Sequence, residues 1–146
     1  MESTQILLAD DDDDDCLFFR EALNELPLST TLIMVHDGEQ LMLLLMKNRD
    51  HLPHVLFLDL NMPRKSGHEC LCEIKKDENL KHLPVVILST AFEQDMADLL
   101  YQNGAQYCAR KPANFSQLKQ VIHQVLTLLR EPATAPVSRV NFVIGG

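Results

Sequence analysis

Nowhere does the chain string together the roughly 18 apolar residues that a membrane-spanning helix requires. Residues Met1 to Gln5 are mostly polar and the apolar run behind them is only four long, so no secretory leader is expected and the protein should reside in the cytoplasm. Basic charge is short as well: 13 Lys and Arg stand against 21 Asp and Glu, a net charge of −8. Direct nucleic-acid binding is therefore not expected, because phosphate recognition needs a basic face. The four cysteines offer no metal framework, and in a reducing compartment they should be thiols rather than disulfides. Cys70 and Cys72 stand two apart on a helical stretch and point to different faces, while Cys16 and Cys108 are isolated. The six histidines are scattered without ligand spacing, and none is expected to be functional.

What is present is an ordinary globular composition, 46% apolar and 23% charged, over 146 residues. That is one domain by length, able to bury about two thirds of its unfolded surface. Short apolar runs at 5–9, 31–35, 55–59, 85–89 and 106–109 read as strands. Segments of helical period at 16–26, 39–47, 67–76, 93–103 and 115–130 alternate with them. Gly38, Pro53, Pro63, Pro84 and Gly104 punctuate the joins. Five strands each followed by a helix predict an α/β fold, a doubly wound five-stranded parallel sheet with helices on both faces. A closed barrel would need eight such units. The periodicity stops after Arg130, so residues 1–130 are expected to form the domain and 131–146 a tail or linker stub.

In open sheets of this kind, ligands bind beyond the carboxyl ends of the strands. Those ends carry Asp10 and Asp11, Asp59, Ser89 and Lys111. Ionised carboxylates about 4 Å apart repel by roughly 4 kcal/mol at an effective dielectric near 20, so such a cluster calls for a cation. Hard oxygen ligands in a half-open site suit Mg²⁺ with waters left over for phosphate oxygens. A lysine opposite would neutralise a phosphoryl group, and a central carboxylate could itself be the nucleophile. This chemistry points to phosphoryl transfer onto an aspartate without choosing which one.

Six consecutive aspartates, Asp10 to Asp15, sharpen the question, since blocks of like charge usually stay solvated and disordered. The last four fall where the next helix starts, and carboxylates there cap N–H groups and complement the helix dipole. Asp12 to Asp15 are expected to do no chemistry.

The segments LLADDD, LFLDLNMPRKSG, VVILSTA and GAQYCARKPANF resemble the signature segments of the response-regulator receiver domain of two-component signalling. Spacing agrees as well as residue type: Asp59 to Ser89 is 30 positions and Ser89 to Lys111 is 22. The resemblance implies a flavodoxin-like strand order 2-1-3-4-5. It also implies Asp59 as phosphoacceptor, Mg²⁺ held by Asp10, Asp11, Asp59 and the backbone carbonyl of Asn61, Ser89 as the switch hydroxyl, and Lys111 on a phosphoryl oxygen. A cis bond to Pro112 is expected with it. The implied partners are a sensor histidine kinase or phosphotransfer protein and a downstream protein on the face of the fourth helix, fifth strand and fifth helix.

One position departs from the family. Three residues before Lys111, where receivers usually carry a rotating aromatic, stands Cys108, and the aromatic lies one earlier at Tyr107. Neighbours on a strand face opposite ways, so Tyr107 is not expected to substitute. A phosphorylation-independent binding module is the alternative reading this suggests. A haloacid-dehalogenase-type phosphatase would need an acid two residues after Asp59, where Asn61 stands.

Overall fold

The structure, a computed structural model, describes residues 3–90, 94–112, 114–130 and 142–144. The strands are β1 (Thr4–Ala9), β2 (Thr30–Val35), β3 (Val55–Asp59), β4 (Val85–Ser89), β5 (Tyr107–Arg110) and β6 (Val143–Ile144). The helices are α1 (Asp13–Asn24), α2 (Gly38–Lys47), α3 (Gly67–Lys76), α4 (Gln94–Gln102) and α5 (Phe115–Arg130). The expected start of the fourth helix at Glu93 lies outside the described residues. Among them, no helix is long and apolar enough to cross a membrane.

All strands pair in parallel in the order β2-β1-β3-β4-β5-β6. The α/β fold and the order of its first five strands are as expected. Each residue of β3 and β4 is buried, as continuous apolar runs covered on both faces should be. Alternation divides the core in two. Leu7, Leu56, Leu58 and Ile87 pack under α2, α3 and α4 with Leu41, Leu71 and Leu100. Ile6, Leu8, Phe57 and Val86 pack under α1 and α5 with Phe19, Ile122 and Val125. Chain direction across the sheet reverses between β1 and β3, which opens a crevice beyond their carboxyl ends.

Caps set the helix starts. Asp12 accepts from the N–H of Asp15 at 3.0 Å, so α1 begins three residues before the apolar period does. Asp37 caps α2 through the N–H of Gln40, and Ser66 with Glu69 forms a reciprocal capping box on α3.

The sixth strand is the addition. Its register places Val143 beside Cys108 and Ile144 beside Ala109, and the N–H of Cys108 donates to the carbonyl of Phe142 at 3.0 Å. Apolar burial explains why this short piece joins the sheet: Phe142 is fully buried, its ring edge-on to Tyr101 of α4 at 5.3 Å, and Ile144 is buried against the opposite core. Cys108 points into the core under α4 and Tyr107 into the core under α5, as strand alternation requires.

One expectation is corrected. No peptide bond among the described residues is cis, the Lys111–Pro112 bond included. The trans form is the lower-energy one even before proline. The lysine is fixed instead by its own N–H, which donates to the carbonyl of Ser89 at 2.7 Å.

Candidate functional site

β1 delivers Asp10 to the crevice. Its N–H continues the ladder to the carbonyl of Val35 at 3.1 Å, and the N–H of Asp12 donates to its carboxylate at 3.0 Å. Asp11 next to it is exposed. β3 delivers Asp59, whose carboxylate is nearly buried and accepts from the N–H of Asn61 at 3.4 Å. β4 ends in Ser89, which is fully buried. Gly67 opens α3 so close to the exit of β3 that a Cβ there would lie 2.2 Å from the carbonyl oxygen of Asp59. Any larger residue would push the end of β3 out of line.

Lys111 closes the site. Its Nζ donates to Asp10 at 2.7 Å and to Asp15 at 2.9 Å, and stands 3.5 Å from the carboxylate of Asp59. Burial pulls this ammonium down, but the hydrogen bonds to Asp10 and Asp15 and the charges of Asp10 and Asp59 outweigh it and hold the lysine above its usual range. Asp59 moves the other way from an ordinary acid. Desolvation, with the charges of Asp10 and Asp11, raises it from 3.8 to about 6 against the opposing pull of Lys111 and the N–H of Asn61.

Carboxylate oxygens of Asp10, Asp11 and Asp59 lie within 4.8 Å of one another. Lys111 meets Asp10, Asp15 and Asp59, and Asp11 adds a fourth carboxylate beside Asp10 and Asp59, an excess of negative charge that a small divalent cation would relieve. The donors are all hard oxygens, so the set fits Mg²⁺ or Mn²⁺ rather than a thiophilic metal.

The structure thus brings Asp10, Asp11, Asp59 and Lys111 together, with Asn61 two residues beyond the end of β3 and Ser89 at the end of β4. It also shows what the sequence reading missed. Asp15, expected only to serve the helix start, holds Lys111, and within a run of six identical acids the sequence carries no signal that singles it out. Nearby, His36 Nδ1 lies 3.2 Å from the carbonyl of Asp10 and the Cys16 thiol donates to the same carbonyl at 3.4 Å, both bracing the end of β1. The four cysteines are reduced thiols.

Residues 6–123 match the family described as response regulator receiver domain. Response regulator Rcp1 of Synechocystis sp. (strain ATCC 27184 / PCC 6803 / Kazusa) is 30% identical over 137 residues, covering 91% of this chain and 93% of that protein. The crystal structure of the phosphorylated cyanobacterial phytochrome response regulator RcpA superposes with a TM-score of 0.81 at 33% identity, over 93% of this chain and 100% of that one. The Mn²⁺-bound form of Rcp1 superposes with a TM-score of 0.77 at 30% identity, over 92% and 99% of the two chains. Response regulator RPA3017, in red light signaling of R. palustris, gives 0.80 at 29% identity over 92% and 99%.

Proposed function

The chain belongs to the response regulator receiver domain family of two-component signal transduction, and from that membership we propose that Asp59 accepts a phosphoryl group from a phosphohistidine and thereby switches protein contacts. The observation that carries this is the setting of Asp59: nearly buried at the mouth of the crevice, among Asp10 and Asp11, with the Lys111 ammonium 3.5 Å away. In the transfer, an oxygen of Asp59 bonds to phosphorus while the bond from phosphorus to the donor imidazole breaks, the electron pair leaving with the imidazole. Lys111 neutralises a phosphoryl oxygen, and the Ser89 hydroxyl bonds another. Asp10, Asp11, Asp59 and the backbone carbonyl of Asn61 would hold Mg²⁺. That ion, when bound, neutralises phosphoryl charge in both transfer and later hydrolysis. The chain in this way assists its own phosphorylation and dephosphorylation without being an enzyme for a separate substrate.

The donor in this reading is a sensor histidine kinase or a phosphotransfer protein in the cytosol. Relatives described as a phytochrome response regulator and as acting in red light signaling make a phytochrome-type sensor kinase the first donor to test. A phosphoryl group adds about −1.5 to −2 charges. Drawing Ser89 and the segment after β4 towards it would alter the face of α4, β5 and α5, where a downstream protein docks. The receiver unit is residues 1–130, and of the segment 131–146 appended to it, Val143–Ile144 complete its sheet as β6. A second reading, a phosphorylation-independent binding module, is favoured by Cys108 alone, because the buried thiol cannot act as a rotating aromatic.

Intact mass after incubation with Mg²⁺ and acetyl phosphate separates the two. Gain of one phosphoryl group that requires Mg²⁺ and is lost in Asp59→Asn is expected. An unmodified wild type that binds Mg²⁺ would leave the binding module as the better reading.

A further inference from the structure

Among the six aspartates, Asp15 stands apart. Asp12, Asp13 and Asp14 are exposed, whereas Asp15 is half-buried and turned back over the site. The helix does not need its side chain, because the capping bond to the Asp12 carboxylate uses the backbone N–H of Asp15. An ammonium has three N–H donors. Asp10 takes one at 2.7 Å and Asp15 a second at 2.9 Å, which leaves Asp59 at 3.5 Å, past a good hydrogen bond. A small cavity of about 30 Å³ beside this grip is walled by Asp10, Asp15 and Lys111 together with Leu8, Phe18 and Leu88.

Resting on the assignment of Asp59 as acceptor, we propose that Asp15 is a positioning residue that holds Lys111 back from Asp59 and so limits how fast the site takes up a phosphoryl group. An incoming phosphoryl group must compete with Asp15 for the Lys111 ammonium, which would neutralise its oxygens. With acetyl phosphate as donor, an Asp59 oxygen bonds to phosphorus, the bond from phosphorus to the acetyl oxygen breaks, and acetate leaves with the electron pair. Lys111 stays protonated throughout, so its contribution is one of place. Asp15 touches none of the reacting atoms and acts only through the lysine.

The test compares initial rates of Asp59 phosphorylation by acetyl phosphate, at saturating Mg²⁺, in wild type, Asp15→Asn and Asp14→Asn. Asp14→Asn removes the same charge from the adjacent exposed position and so corrects for the general repulsion of an anionic donor. Asp15→Asn should exceed Asp14→Asn by roughly two- to fivefold, the scale on which one half-exposed ionic partner acts. Equal rates in the two variants, or a slower Asp15→Asn, would overturn the proposal. A second measurement needs neither donor nor metal: the unfolding midpoints of Asp15→Asn, Lys111→Met and the double variant. Non-additive shifts are expected if the two side chains hold each other, and additive shifts overturn the grip. Coupled shifts with no phosphorylation in any protein would locate the failure in the acceptor assignment, which takes the rate-limiting role down with it.

Discussion

The carboxyl end of the sheet and its β5–β6 edge are built from opposite materials. At the first, Asp10, Asp15 and Asp59 crowd one lysine, and burial makes Asp59 resist ionisation. At the second, Phe142, Cys108 and Tyr101 belong to one hydrophobic core cluster. Burying surface costs free energy in the first case and releases it in the second. With the proposed role of Asp59, the difference implies a division of labour: the polar end sacrifices stability for reactivity, and the apolar edge contributes stability without chemistry. Substitutions in the two regions should then move stability in opposite directions.

The largest expected effect is at the edge. Phe142→Ala deletes a fully buried ring and should cost about 3 kcal/mol in urea unfolding, while leaving the rate of phosphorylation by acetyl phosphate unchanged. A rate that fell in proportion to stability would dissolve the division.

The opposite sign is expected at the site. In wild type without metal, Asp59 titrates near 6 in the folded chain against an ordinary 3.8. The folded state therefore keeps a proton that the unfolded state has lost, and stability declines as pH rises through that window. An asparagine side chain at this position has no such proton to lose. Asp59→Asn should thus match wild type below the window and be more stable above it, by about 1–3 kcal/mol at pH 7–8 in chelator. Thermal unfolding across pH 3.5–8 measures this, and a variant equal to wild type at every pH would show that Asp59 is not strained. Added Mg²⁺ should narrow the gap, because it binds the folded wild type and stabilises it by mass action.

Sequence made one of these regions far more legible than the other. Asp10, Asp11, Asp59 and Lys111 lie at the ends of apolar runs, and parallel topology carries strand ends to a common edge, so period and spacing were enough to assemble them. Opposite faces for Tyr107 and Cys108 followed from alternation alone. Asp15 escaped because a run of identical charges hides which member turns inward. That depends on the rotation of α1 about its axis, fixed by packing of Phe19, Ala22 and Leu23 rather than by the run itself. Strand β6 escaped for a different reason. Two residues after a proline-containing segment carry no periodicity, and their pairing with Cys108 and Ala109 is a non-local contact that local pattern cannot announce. The trans Lys111–Pro112 bond was missed because a family habit was carried over where the local preference already favoured trans.

The smallest effect tests whether the two regions open independently, and the cysteines are placed to report it. Burial, aided by the charge of Asp10, pushes the Cys16 thiol up to about 11, and burial does the same for Cys70. Cys108 is fully buried, whereas Cys72 is partly exposed. The thiolate is the species that alkylates, so at pH 8 iodoacetamide should label Cys72 first and the other three only as their surroundings open. Cys16 lies beneath Asp10 and reports the charged end; Cys108 donates its N–H to Phe142 and reports the apolar edge. In Phe142→Ala, peptide-resolved mass spectrometry should find Cys108 labelled several-fold faster and Cys16 unchanged. Equal acceleration at both would mean that the sheet opens as one unit, and that the contrast between its end and its edge is one of composition without energetic consequence.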